Sequence, residues 1–271
     1  MNPTPLENVD NNEEEMIDLQ PVDQIQPLRH KKSKNKSPFK KGLKFIGEIL
    51  LDAIIIIGLV VIIRTYVIAP FQVHGTSMCN TLNYRNGACN SGYGEYLIIS
   101  KFSYVVGQPE RGDIVVFRPP GTIKYGKFES LVKTLFHLDN QEFFIKRVIG
   151  LPGETVELKN GYVYVTNTEH PNGFKLNESY LSSINQGNTQ ALIPGKTKFT
   201  VPEGRYLVFG DNRVVSTDAR SCFKSSISTG CQFEEDAFIG MENIEGKASV
   251  ILFPLNELGR IKNPYLELSA K

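Results

Sequence analysis

The chain has 271 residues, 41% hydrophobic and 22% charged, enough for one full-sized globular domain with further segments attached. Only 4 cysteines, 23 glycines and 15 prolines exclude a disulfide-dense, collagen-like or low-complexity protein. The net charge of +1 conceals an asymmetry: an acidic run from Glu7 to Asp23 gives way to a basic one from Arg29 to Lys44, so the average identifies no partner.

Residues 1–42 are rich in Pro, Asn, Glu, Gln and Lys without sustained periodicity, and bury too little apolar surface to offset the entropy of ordering them. They are expected to form a disordered cytoplasmic tail. The basic run stands directly before an apolar segment, which favours the positive-inside arrangement over a nucleic-acid patch.

That segment, residues 43–69, has the uninterrupted core AIIIIGLVVII from Ala53 to Ile63. At about 1.5 Å per residue, some 20 residues cross a hydrocarbon layer of roughly 30 Å. Glu48, Asp52 and Arg64 lie near its ends, where charged groups can reach toward lipid head groups. The length of the run, the tail before it and the following Ala69-Pro70-Phe71 predict an uncleaved transmembrane anchor rather than a cleavable leader.

From residue 70 to 271 the hydrophobic period falls to two. Strands are predicted at Phe71–Val73, Tyr96–Ile99, Asp113–Phe117, Glu142–Ile149, Thr155–Leu158, Tyr162–Val165, Arg205–Phe209 and Ala248–Phe253, with Lys159-Asn160-Gly161 as the clearest hairpin turn. The fold class is therefore mostly β: one transmembrane helix followed by an antiparallel β-rich domain. Residues 166–204 are polar and rich in Asn, Gly and Ser, and read as a surface insertion with little core of its own.

Three stretches carry chemistry. In Val73-His-Gly-Thr-Ser-Met-Cys-Asn-Thr-Leu82, Gly75 allows a partner's backbone to approach Ser77, which suits a nucleophile and equally an ordinary turn. In Phe143 to Gly153, strand alternation puts Lys146 on one face with Phe144 and Val148, and Arg147 on the other. Burial lowers a lysine's pKa whereas arginine stays charged, so Lys146 is the candidate base, although a lysine in a strand is more often a solvated edge residue. The third, Val208 to Arg220, crowds Asp211, Asn212, Arg213, Ser216, Asp218 and Arg220 into one loop, either a fixed ion-pair network or a solvated surface.

Ser77-Met-x-x-Thr-Leu after an anchor, Arg111-Gly-Asp-Ile-Val-Val-Phe, Lys146-Arg-Val-Ile-Gly-Leu-Pro-Gly-Glu and Gly210-Asp-Asn-Arg-x-x-Ser-x-Asp-x-Arg, in that order, resemble the bacterial type I signal peptidases over about residues 40–255. The resemblance implies a membrane-anchored serine endopeptidase that removes signal peptides from exported preproteins after Ala-x-Ala. Ser77 matches the nucleophile, Lys146 the general base, Ser216 the serine that orients the lysine, and Asp218 with Arg220 a supporting ion pair. Phe71, Val73, Val116, Phe144 and Ile145 match pocket positions for the −1 and −3 side chains, and Gly75 borders the substrate backbone. No metal or cofactor is implied. Expected partners are signal peptides, the lipid bilayer and the protein export channel, with no nucleic acid; the catalytic domain is expected outside the cytoplasmic membrane.

Three positions depart from the family pattern. Gly75 stands where some members place a serine, Asn80 replaces a proline and predicts a looser turn, and Ala219 replaces a serine. Competing signals are weaker. His74, His137 or His170 would be needed for a Ser-His-Asp triad, and Gly121–Lys127 matches a phosphate loop but continues into Phe128. Ser-x-x-Lys at Ser33, Ser37 and Ser221 lacks its companion motifs. A catalytically silent anchored domain that binds exported chains is the alternative of a different class. The cysteines form two local pairs: a Cys222–Cys231 disulfide is expected, while Cys79 is either bonded to Cys89 or free beside Ser77.

Overall fold

A computed structural model describes residues 38–121, 143–224, 231 and 233–266. The tail before residue 38, His137 and most of the Gly121–Lys127 match lie outside the described residues. The chain divides into two units, Met1–Leu51 and Asp52–Lys271.

Helix α1 is Pro38–Tyr66; its stretch Gly42–Tyr66 is long and apolar enough to cross a membrane, with no buried share inside the protein. Its central run Ala53–Ile63 is apolar on every side, the pattern of a helix whose solvent is lipid. Near its start Lys44 and Glu48 pair at 3.5 Å, an i,i+4 contact. The helix ends three residues earlier than the apolar run, because Ile68 and Ala69 already belong to strand β1.

The strands are β1 Ile68–His74, β2 Tyr84–Arg85, β3 Ala88–Cys89, β4 Tyr93–Ser100, β5 Ile114–Phe117, β6 Phe144–Gly150, β7 Thr155–Lys159, β8 Tyr162–Thr166, β9 Phe174–Lys175, β10 Lys198–Thr200, β11 Arg205–Phe209, β12 Ile239–Gly240, β13 Ile244–Phe253 and β14 Gly259–Arg260. They form an eight-stranded sheet in the order β1-β4-β13-β5-β6-β11-β12, with β14 on β13, a four-stranded sheet β10-β7-β8-β9, and the small hairpin β2-β3. Every pairing among the described residues is antiparallel. The β7–β8 turn places Asn160 and Gly161 at φ of 52° and 80°, the mirror-image turn that matches strand twist.

Strand alternation divides the core in two. Val115 and Phe117 of β5 join Phe144, Val148 and the inner residues of β7, β8 and β11. Ile114 and Val116 point the other way, with Val73, Leu97, Ile99, Ile145 and Ala248. Ile149 breaks the alternation by joining Val148's cluster, because the β6–β11 register shifts at that residue, Leu207 facing Gly150 and Val208 facing Val148.

Residues 166–204 are more than a surface insertion. Leu176, Phe199 and Val201 enter the main core, and β9 and β10 supply both edges of the four-stranded sheet. Strands of two or three residues with at most one buried position show no period of two, so polar composition concealed them.

Candidate active site

Strand β6 lies between β5 and β11, which explains the burial of both its cations: Lys146 is 2% exposed and Arg147 1%. Lys146 is thus not a solvated edge residue. Its Nζ donates to Ser77 Oγ at 2.8 Å and to the Ile145 carbonyl at 2.8 Å, and lies 5.2 Å from the centre of the Phe144 ring. Burial brings its pKa down to about 8, against the opposing pull of the carboxylates Asp218 and Asp211. Arg220 holds the Asp218 carboxylate.

Ser77 follows β1 through Gly75, which has a φ of 82° and open space where a side chain would stand. Asn212 fixes the backbone around it, its N–H donating to the Ser77 carbonyl at 3.0 Å and its side-chain amide to the Thr76 carbonyl at 3.1 Å. Asn83 donates from its side chain to the carbonyls of Gly75 and Gly92, both at 2.9 Å.

The crowded loop is a fixed network. Arg147 grips Asp211 through two bonds of 2.8 and 2.6 Å, and the Thr81 hydroxyl donates to the same carboxylate at 2.5 Å. The expected pair is present: Arg220 donates two bonds of 2.9 Å to Asp218, which also accepts from the Gly210 N–H at 2.9 Å. Burial pushes the Asp218 carboxyl up, but Arg220 and these N–H donors hold it below the usual carboxylate range. Arg213, fully buried, meets Glu178, the Tyr180 hydroxyl at 3.1 Å and the Thr189 hydroxyl at 2.8 Å.

Ser216 differs from expectation. It lies beside Gly210, buried, and its hydroxyl has no hydrogen-bond partner among the described residues; the bond expected to Lys146 is absent and the Ile145 carbonyl takes that place. A Cβ on Gly210 would overlap Ser216 Oγ and the Ser77 carbonyl, so only glycine admits both.

The expected pocket residues divide between the two cores. Val73, Val116 and Ile145 are buried together with partly buried Phe71 beside them, while Phe144 packs on Phe117 and Phe223 across the sheet, on Lys146's side. Val116 faces Ile145 in register. His74 is exposed and packs on Tyr93 at 4.9 Å between ring centres, and His170 packs on Phe174. Neither bonds Ser77 among the described residues.

Residues 46–253 match the family described as signal peptidase, peptidase S26. The chain belongs to this signal peptidase family. It is 33% identical to signal peptidase I of Leptolyngbya laminosa over 90% of this chain and 95% of that one. Identity is 31% to signal peptidase I of Bacillus licheniformis, over 83% and 97%, and 28% to signal peptidase I S of Bacillus subtilis, over 84% and 97%.

Against the signal peptidase pattern, Asn80 has a clear structural reading. Its φ is 78°, a left-handed conformation that asparagine tolerates and proline cannot adopt, so the turn is differently built rather than loose. Cys79 N–H donates to the Thr76 carbonyl at 3.0 Å and Leu82 N–H to the Met78 carbonyl at 2.8 Å. Both cysteine pairs are bonded, Cys79 to Cys89 and Cys222 to Cys231. Ala219 is fully buried among apolar neighbours.

Sequence reasoning missed Arg147, Thr81, Asn83 and the role of Asp211 across motifs. The available signal was a second cation in a strand apolar on both faces, since a buried guanidinium requires a carboxylate.

Proposed function

We propose that this signal peptidase-family serine endopeptidase removes signal peptides with Ser77 as nucleophile and Lys146 as general base. The observation that carries the reading is the 2.8 Å contact between a buried, pKa-lowered amine and the Ser77 hydroxyl. Neutral Lys146 takes the hydroxyl proton as Ser77 Oγ attacks the carbonyl of the −1 residue. The protonated lysine then gives its proton to the departing amine, and the neutral amine activates the water that releases the acyl chain. The Ser77 N–H stabilises the developing oxyanion. Asp218 and Arg220 support the loop.

The substrate lies extended beside β1 and β6, with Gly75 admitting its backbone and Phe71, Val73, Val116, Phe144 and Ile145 restricting −1 and −3 to small residues such as Ala. The tail before the helix is cytoplasmic, the apolar stretch Gly42–Tyr66 anchors, and the β domain from Ile68 onward works outside the membrane on chains delivered by the export channel. Detergent-solubilised protein should cut a precursor after Ala-x-Ala, and Ser77→Ala should not. Cleavage undiminished in Ser77→Ala sinks the assignment. External protease on spheroplasts should degrade the β domain, and its protection there would reverse the topology.

A further inference from the structure

We propose that the Cys79–Cys89 disulfide is a redox-sensitive clamp that positions Ser77, a proposal that rests on Ser77 being the nucleophile. Cys79 is two residues from Ser77 and fully buried, whereas its partner lies on the exposed strand β3 of the small β2-β3 hairpin. Met78 and Leu82, buried in the apolar cluster, hold one side of the turn. The other side is tied by the disulfide to a hairpin whose strands have two residues each. Cys89 Sγ also lies 4.0 Å from the side-chain amide of Asn212, the residue that bonds the carbonyls of both Thr76 and Ser77. The disulfide is therefore a wall behind the group that aims the nucleophile. With it intact, the Asn212 amide has one seat; with it broken, the hairpin and that wall move away together.

Reduction is chemically direct. A dithiol's thiolate attacks Cys89 Sγ on the exposed hairpin, the S–S bond breaks, and Cys79 leaves as a thiolate that takes up a proton. The reductant's second thiol displaces the Cys89 thiol and closes the reductant's own disulfide, so two electrons and two protons reach the protein. Reoxidation reverses each step.

The test uses full-length protein in detergent, with Cys222→Ser/Cys231→Ser in the background so that dithiothreitol acts on one bond, its state read by mass. Cys79→Ser/Cys89→Ser with the second disulfide intact is the independent variant. Reduction should lower kcat by about tenfold to a hundredfold, the loss that misplacing a reacting group brings, with KM changed less than about twofold. The pH limb set by Lys146 should stay in place, since Lys146 rides on β6, and reoxidation should restore kcat. Amide exchange at Cys79, Thr81 and Leu82 should quicken on reduction while Val148 stays protected. Unchanged kcat and exchange in the reduced protein overturn the clamp, as does a loss of kcat with the exchange of Val148 quickened equally. If the oxidised protein cuts no precursor while exchange in the turn still responds to reduction, the clamp holds and the catalytic assignment falls.

Discussion

Lys146 and Arg147 are adjacent in one strand and equally buried, yet only Arg147 has a carboxylate bonded to it among the described residues. The difference divides their work. Arg147 remains charged and fastens Asp211, and through it Thr81, to the sheet. Lys146 is left with a neutral hydroxyl and a carbonyl, partners that do not compel it to stay protonated.

The pKa of about 8 at Lys146 sets a pH profile. The neutral base gains as pH rises, so kcat/KM should climb about tenfold per unit below 8 and level off above it. Lys146→Arg cannot give up its proton and should be as inactive as Lys146→Ala. Stability carries a sign as well: with the folded pKa below the unfolded one, the unfolded chain binds more protons between about 8 and 10.5. This group therefore raises stability with pH across that window and costs roughly 3 kcal/mol below it. Lys146→Met should raise the urea midpoint at pH 7, and a lower midpoint would refute the cost.

Arg220 keeps the charge of Asp218 engaged. Arg220→Leu leaves a buried carboxylate facing Lys146, and its attraction for the ammonium form should move the activity limb to higher pH. The variant also loses about 3–5 kcal/mol by breaking a buried pair, so folding is first checked by circular dichroism. An unmoved limb in folded protein would show that Asp218 does not act on the lysine.

Gly210→Ala tests the backbone behind Ser77. The methyl must displace Ser216 and the Ser77 carbonyl together, so kcat should fall by about a hundredfold, more than in Ser216→Ala. Removing the unpartnered Ser216 hydroxyl should leave thermal stability unchanged or higher, as calorimetry can measure.

Asn80→Pro would restore the usual family residue and should nevertheless harm this chain. Proline's φ near −65° conflicts with the observed 78°, so melting temperature and turnover should both drop, while Asn80→Gly keeps both. A fully active proline variant would contradict the left-handed turn.

The long strands were legible because Ile114 to Phe117 and Tyr162 to Val165 combine β-branched residues, alternation and flanking turn residues. The four motifs also located Ser77 and Lys146, but a linear pattern cannot say which charge meets which. Arg147 reaches Asp211 64 residues away, a partnership fixed by the β6–β11 pairing alone. Likewise, Ser216 was assigned to the lysine, whereas packing over Gly210 leaves its hydroxyl apart. The left-handed turn at Asn80 was hidden because asparagine permits that conformation without requiring it.

The stretch from 166 to 204 looks expendable to anyone wishing to build a smaller version of the enzyme. It is not, because Glu178, Tyr180 and Thr189 all come from it and together they receive the guanidinium of Arg213. Excision would strand a full positive charge in the interior, three residues from Ser216. A trimmed design must therefore begin by replacing Arg213 with an apolar side chain of similar volume, and only then shorten the loop.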